Sequence, residues 1–426
     1  MIINFSIKNY RSFRNTADLT MEANDMRGSS EIAIAQTLSG RNILPVAGIF
    51  GANASGKTNI IKALDFCLQA IRGVGPQEGV AFHELFSSFA LDRNNEPVEF
   101  SLEILSAPKR REYEMTFAVQ NGQVISENLN VMEKVNRNCI RRTVYRVENG
   151  KITFGNLAKK ELDQLKTVLE YDRSTLLISR LARLVRYPIA KDFLAELDRI
   201  VLTGSYGIGI DHIKLIEDAD LRHRVVNFVA AADTNILDIS VKKADVPDEV
   251  KERLINDPNL PDTFKKEIEA GRLFVTRSTH KGYAPSNNVE LDFSSCESNG
   301  TQKLFALGAM IIDVLDNGKV LILDELDSSL HPYLSAKIVE TFQDKNINKN
   351  GAQLIFTSHE DYLMSKAVSL RTDEIYFVEK NKKEQSELYS LADFNIRNDA
   401  AIDRKYLDGR LGAVPVLASG GFDVYA

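Results

Sequence analysis

Residues 51–58 read Gly-Ala-Asn-Ala-Ser-Gly-Lys-Thr, between the apolar run LPVAGIF (44–50) and the segment NIIKALDFCL (59–68). The octet fits G-x-x-x-x-G-K-[ST] at every position. Gly51 and Gly56 permit backbone angles and close approaches that a Cβ would forbid. The N–H groups of such a loop turn inward and make an anion nest at the start of a helix. Lys57 adds a point charge for β- and γ-phosphates, and the Thr58 hydroxyl is a hard oxygen suited to Mg²⁺. The flanks predict a buried strand before the loop and, through Ile60, Ile61, Leu64 and Leu68, an amphipathic helix after it. That context favours a nucleotide site over a chance turn. The loop alone does not choose among GTPases, kinases and transporter-type ATPases.

The choice comes from downstream. Residues 319–325, KVLILDE, read as a buried parallel strand ending in two acids. Asp324 is placed to reach a Mg²⁺ held by Thr58, and Glu325 to polarise a water. Packing does not explain adjacent carboxylates, because a buried charge is costly unless paired or on a metal. Asp327 follows in LDSSLHP. A second core strand, in GAQLIFTSHE (351–360), ends in His359, on the sheet edge where α/β folds bind ligands. His359 reads as a γ-phosphate sensor or, taken alone, as a solvated loop histidine. In SSCESNGTQKLFALGAMIIDVL (294–315), Ser298, Asn299, Gly300 and Thr301 open an apolar helix. The layout is that of the transporter-type signature LSGGQ, with Glu297 for its leucine and Asn299 for its first glycine. A hydroxyl, a glycine and a helix N-terminus aimed at an anion remain. A simply capped helix is the other reading.

The 426 residues leave room for two or three domains, and 44% hydrophobic with 26% charged residues is ordinary for a soluble globular chain. Cys67, Cys139 and Cys296 form no CxxC pair, which argues against a disulfide framework or a zinc site. MIINFSIKNYRSF lacks a signal-peptide apolar region, and no run approaches the ~20 residues of a membrane helix. A cytoplasmic protein without membrane contact is expected. A net charge of −6 excludes a chain that is basic throughout, not a local basic patch. NKNG (348–351) and NKKE (381–384) lack the aspartate of a guanine-binding N-K-x-D. Residues from about 95 to 154 alternate as antiparallel strands, with a hairpin at Asn121-Gly122. Residues 156–283 show helical periodicity in three stretches, while Pro188, Pro247, Pro258 and Pro261 break any continuous coil. Arg180, Arg183 and Arg186, like Lys109-Arg110-Arg111 and Arg141-Arg142, read as solvated faces rather than nucleic-acid patches, since Asp192, Glu196 and Asp198 follow closely.

GANASGKTN (51–59), ESNGTQKLF (297–305), LILDELDSSLHP (321–332) and FTSHE (356–360) occur in the order of an ATP-binding-cassette head of the RecF/SMC/Rad50 kind, which the chain resembles. INFSIKNYRSFRN, with Asn9, Arg11 and Phe13, is similar to that group's opening strand pair. DEIYFVEK (373–380) and YLDGRLGAVP (406–415) narrow the resemblance to bacterial AAA15, or abortive-infection, ATPases, related to the ATPase half of overcoming-lysogenization-defect nucleases. The resemblance implies an α/β fold: a mixed core sheet flanked by helices, an added antiparallel sheet and a helical insertion. The expected division is 1–155 and 284–426 for the two lobes of the head, with 156–283 inserted. It implies ATP held by Gly51, Asn53, Ser55, Gly56, Lys57, Thr58 and Asn59, and Mg²⁺ on Thr58 and Asp324. It makes Glu325 the hydrolytic base, Asp327 the D-loop aspartate and His359 the switch histidine. Ser298 and Gly300 would contact the γ-phosphate bound by a second subunit, which implies a homodimer or higher homo-oligomer. It further implies a role in anti-phage defence, with a separate effector nuclease from the same operon as partner and DNA or RNA as a further one. A DNA-repair or tethering ATPase is the alternative. The Q-loop is expected between Arg72 and about residue 130. YLDGRLGAVP has no chemical role in this reading beyond that of a docking tail.

Overall fold

A strand buried on both faces must be apolar throughout. Val46–Phe50 meets that demand, with every residue buried. In the computed structural model it lies between two parallel partners, Gln353–Ser358 and Ile375–Lys380. The six-stranded core sheet runs Ile200–Thr203, Val320–Leu323, Gln353–Ser358, Val46–Phe50, Ile375–Lys380, Ser386–Ser390, and its last pair alone is antiparallel. Gly48 is bare because a Cβ there would lie 2.8 Å from the rings of both Phe50 and Phe356. Those rings meet edge to face, 5.9 Å apart. The structure describes residues 1–24, 29–73, 88–89, 91, 96–106, 109–135, 138–162, 173–203, 215, 218–232, 234–257, 260, 262–271, 273–283, 287–368, 370–394 and 401–414.

A seven-stranded antiparallel sheet accompanies it, in the order Lys151–Phe154, Asn138–Glu148, Gln123–Val135, Arg111–Gln120, Val98–Ser106, Ile2–Lys8, Ala17–Thr20. Asn121 and Gly122 both take positive φ, 52° and 72°, as a two-residue type I′ hairpin requires. The expected strand-rich stretch is therefore present. Helix Lys57–Arg72 buries Ile60, Ile61, Leu64 and Leu68, and one hydrophobic core runs through this helix and both sheets. Phe66 on the helix meets Tyr10 and Phe100, at 6.5 and 5.4 Å between ring centres.

Two units emerge: Met1–Ser205 with Val314–Ser328 and Ser335–Ala426, and Tyr206–Asp313 with Ser329–Leu334. The second holds a three-stranded antiparallel sheet, Ile236–Lys243, Phe274–Lys281 and Asn288–Asp292. Helices Ala219–Ala230, Asp248–Ile255 and Asp262–Glu269 belong to it, and Val225, Val229, Ile239, Phe293 and Phe305 form its core.

The two compact units have other bounds than the expected division. Ile200–Thr203 is a core-sheet strand paired with Val320–Leu323, and Leu177, Ile178, Ala190, Phe193 and Leu197 join the first unit's core. Residues 284–313 fall instead in the second unit, which adds a sheet to its helices. The short run IVLT continues the helical period of the segment before it, so its change to a strand is not visible in spacing. The helical run is interrupted at Pro188 as expected: one segment ends at Val185, and Pro188 starts helix Pro188–Leu197, where its missing N–H is not needed in the first turn. Of the helix expected over 157–171, Lys159–Leu162 is helical and 163–171 lie outside the described residues, as do Pro258 and Pro261. Part of the stretch assigned to the Q-loop, including 74–87 and 92–95, is likewise outside them. Among the described residues, no helix is long and apolar enough to cross a membrane.

Four residues of the basic clusters are engaged locally. Lys109 pairs with Asp192 at 3.1 Å, Arg111 with Glu133 at 2.7 Å, and Arg141 with Glu114. Arg183 donates to the carbonyl of Arg72 at 2.8 Å.

Candidate functional site

The loop 51–56 alternates the hand of its backbone: φ is 152° at Gly51, 60° at Ala54 and 120° at Gly56. Both glycines are required. A Cβ on Gly51 would sit 2.3 Å from the carbonyl oxygen of Val378, and one on Gly56 2.4 Å from Ser386 Oγ. Ser12, in the turn after the first strand, accepts from Asn59 Nδ2 at 2.8 Å, and its carbonyl accepts from Ser386 N at 2.8 Å. The opening NYRSF and the strand Ser386–Ser390 thus brace the loop from its outer side.

Lys57 is 5% exposed and folds back over the loop. Its Nζ donates to the carbonyls of Gly51 (2.7 Å) and Ala52 (2.9 Å) and stands 3.2 Å from His359 Nδ1. Burial lowers its pKa to about 8, against the opposing pull of Asp327, Glu325 and Asp324. His359 is also held below its ordinary value, first by burial and then by the Lys57 charge. A neutral ring facing Lys57 with a bare Nδ1 satisfies both groups.

Thr58 Oγ1 donates to Asp324 Oδ1 at 3.3 Å. Two hard oxygens at that separation suit a divalent cation such as Mg²⁺. Ser55 Oγ and Asp327 Oδ1 are buried and have no hydrogen-bond partner among the described residues. Polar atoms left so in a site are open to a water, an ion or a ligand. The cradle, the ammonium and the oxygen pair together fit a nucleoside triphosphate with its cation.

One residue that the sequence reading passed over organises the acids. Thr357 is fully buried; its hydroxyl donates to Asp324 Oδ1 at 2.7 Å and accepts from Glu325 N at 2.8 Å. Glu325 is solvent-exposed with φ at 55°, a left-handed conformation unusual for glutamate. Asp327 Oδ2 accepts from the backbone N–H of His359 at 3.2 Å. The structure therefore brings together Gly51, Ser55, Gly56, Lys57, Thr58, Asp324, Glu325, Asp327 and His359. Asn53 is exposed on the loop, and the side chain of Asn59 turns to Ser12.

Ser298 and Gly300 lie in the second unit. Ser298 Oγ accepts from Thr301 N at 3.1 Å, which caps helix Asn299–Asn317. A Cβ on Gly300 would meet the carbonyl oxygen of Ser329 at 2.7 Å.

Among solved structures, the chain is similar to an Smc head bound to the C-winged helix domain of ScpA. That match has 14% identity and a TM-score of 0.44, and covers 91% of this chain and 97% of that one. It is also similar to the SMC head domain from Thermotoga maritima, at 13% identity and TM-score 0.40 over 91% and 98% of the two chains. An Smc head with a coiled coil and joint derived from Pyrococcus yayanosii matches at 11% identity and TM-score 0.40, over 96% and 99%. No curated protein sequence matches. A family model described as "AAA domain, putative AbiEii toxin, Type IV TA system" matches residues 46–365. With three quarters of its length under that model and the phosphate loop at its start, the chain belongs to this family of abortive-infection-type ATPase domains.

Proposed function

We propose that the protein hydrolyses ATP with Mg²⁺ and uses the nucleotide to control a separate effector, in the manner of a sensor ATPase in an anti-phage system. One observation carries the hydrolytic reading. Lys57, Thr58, Asp324 and His359 converge at the carboxyl ends of three neighbouring parallel strands, around a loop whose glycines admit no side chain. The defence reading rests on the family to which the chain belongs.

Residues 51–58 bind the phosphates, with Lys57 turning from its carbonyl acceptors toward the β- and γ-oxygens. Thr58 and Asp324 hold the cation, which when bound neutralises charge on the transferred group. Glu325 accepts the proton of the attacking water, and Thr357 fixes its backbone relative to Asp324. His359, tied through its N–H to Asp327, faces the γ-phosphate end. The Ser298–Gly300 turn of a second copy completes each site, so ATP joins two chains and hydrolysis releases them.

The test is the mass of Glu325→Gln, by light scattering, with and without MgATP. Doubling with ATP and no turnover are expected. Turnover at the wild-type rate would remove Glu325 as the base. A mass indifferent to ATP would remove the nucleotide-joined dimer. An effector that co-purifies with the trapped form would support the sensor role, and none from cells carrying the native operon would count against it.

A further inference from the structure

In the LSGGQ pattern the residue before the signature serine is apolar; here it is Glu297. Its side chain is only 10% exposed. A carboxylate so placed needs partners, because desolvating it alone is expensive. Among the described residues it has two, both on strand Phe274–Lys281 and both on its Oε1: Ser278 Oγ donates at 2.5 Å, and His280 Nε2 stands at 2.7 Å. Ser278 is itself fully buried. The backbone is held as well, since Gln302 Nε2 donates to the carbonyls of Glu297 (3.0 Å) and Ser294 (2.9 Å). Packing alone would be better served by an apolar residue, which carries no desolvation penalty. What the carboxylate adds is direction. Ser298 follows it in the chain, and Ser298 Oγ and Gly300 can meet a phosphate only if the turn keeps its angle.

We propose that Glu297, clamped by Ser278 and His280, is a positioning residue that sets the Ser298–Gly300 turn for the γ-phosphate bound by the partner copy. The inference rests on the reading of that turn given above. The clamp lies wholly in the second unit, away in sequence from the phosphate loop. It therefore acts on turnover and assembly and leaves nucleotide capture by the first unit alone.

Glu297→Ala, Glu297→Gln, the double variant Ser278→Ala/His280→Ala and Ser298→Arg are compared with wild type in the full chain. Three readouts are used: kcat and KM for MgATP, binding of a fluorescent ATP analogue, and ATP-dependent mass. Glu297→Ala and the double variant should lose ~10-fold or more in kcat, since misplacing a group that contacts the reacting centre by about 1 Å costs up to ~100-fold. Analogue binding should not change. Glu297→Gln keeps an oxygen at the Oε1 position for both donors and should restore most of the rate. Wild-type kcat in Glu297→Ala beside an inactive Ser298→Arg would overturn the clamp and leave the signature reading standing. Full activity in Ser298→Arg would overturn that reading instead. If Glu297→Ala fails to fold, the double variant decides: a kcat loss with intact analogue binding supports the clamp, and an unchanged kcat overturns it.

Discussion

Thr357 shows how much one hydroxyl can do. It gives its proton to the carboxylate of Asp324 and takes one from the backbone of Glu325, from a position with no exposed surface. Thr357→Val keeps the shape and removes both bonds. It is expected to fold and to lose ~10-fold or more in kcat, whereas Thr357→Ser should stay close to wild type; steady-state ATPase assays on the pair distinguish these outcomes. Lys57→Ala should abolish nucleotide binding by calorimetry, because its ammonium supplies the loop's fixed positive charge. Lys57, Thr58 and Asp324 were legible in the sequence because their motifs state both residue type and place. Thr357 was not: a threonine in FTSHE reads as an ordinary strand residue, and only the register of Gln353–Ser358 beside Val320–Leu323 brings it under the acids.

Among the elements, the C-terminal segment gains a physical role that its sequence does not state. Helix Ile402–Leu407 packs against the turn Asp361–Met364, which follows His359. Tyr406 stacks on Phe377 at 5.5 Å, Tyr389 OH donates to the Leu411 carbonyl, and Ala413 N donates to Glu379 Oε2. Gly412 has φ at 70°, and a Cβ there would lie 2.5 Å from Glu379 Oε2 and 2.6 Å from Tyr389 OH. Gly412→Ala therefore strains the backbone and breaks one of those bonds. It should cost roughly 1–2 kcal/mol and lower the Tm by ~2 °C, readable by calorimetry.

Glu374, at the head of the strand Ile375–Lys380, is fully buried. Burial raises its pKa from 4.5 to about 8, and its Oε1 has no partner among the described residues. The folded chain binds this proton more tightly than the unfolded one. Its contribution is thus intact below pH 4.5 and is lost as pH rises through about 8. Glu374→Gln should flatten the fall in Tm between pH 5 and pH 8.5; an unchanged fall would assign the pH dependence to other groups. The phosphate-loop strand and the hairpin at 121–122 were readable because burial and turn chemistry leave strong patterns. Strands such as ILDISVKK and FVTRSTHK were not, since much of each is exposed and their alternation is weak.

For the whole molecule, the main fact is that Lys57 and Ser298 belong to different compact units. Ser298→Arg should leave calorimetric ATP binding intact and prevent ATP-dependent doubling of mass in the Glu325→Gln background. The sequence carried both motifs but not this division, because the chain enters the second unit between Thr203 and Leu215 and returns through the uninterrupted helix Asn299–Asn317.

The core sheet also has a history that its finished form conceals. Among the described residues, Val46–Phe50 pairs only with segments that begin at Gln353 and Ile375, and Ile2 N bonds Gln353 Oε1 across 351 positions. During translation, at ~5–20 residues per second, the phosphate-loop strand thus waits some tens of seconds for its neighbours. A strand that is apolar on both faces and unpaired for that long is what holdase chaperones capture. Chains released before Gln353 should be found in inclusion bodies, and yield of the intact protein should follow the supply of chaperone rather than the strength of the promoter.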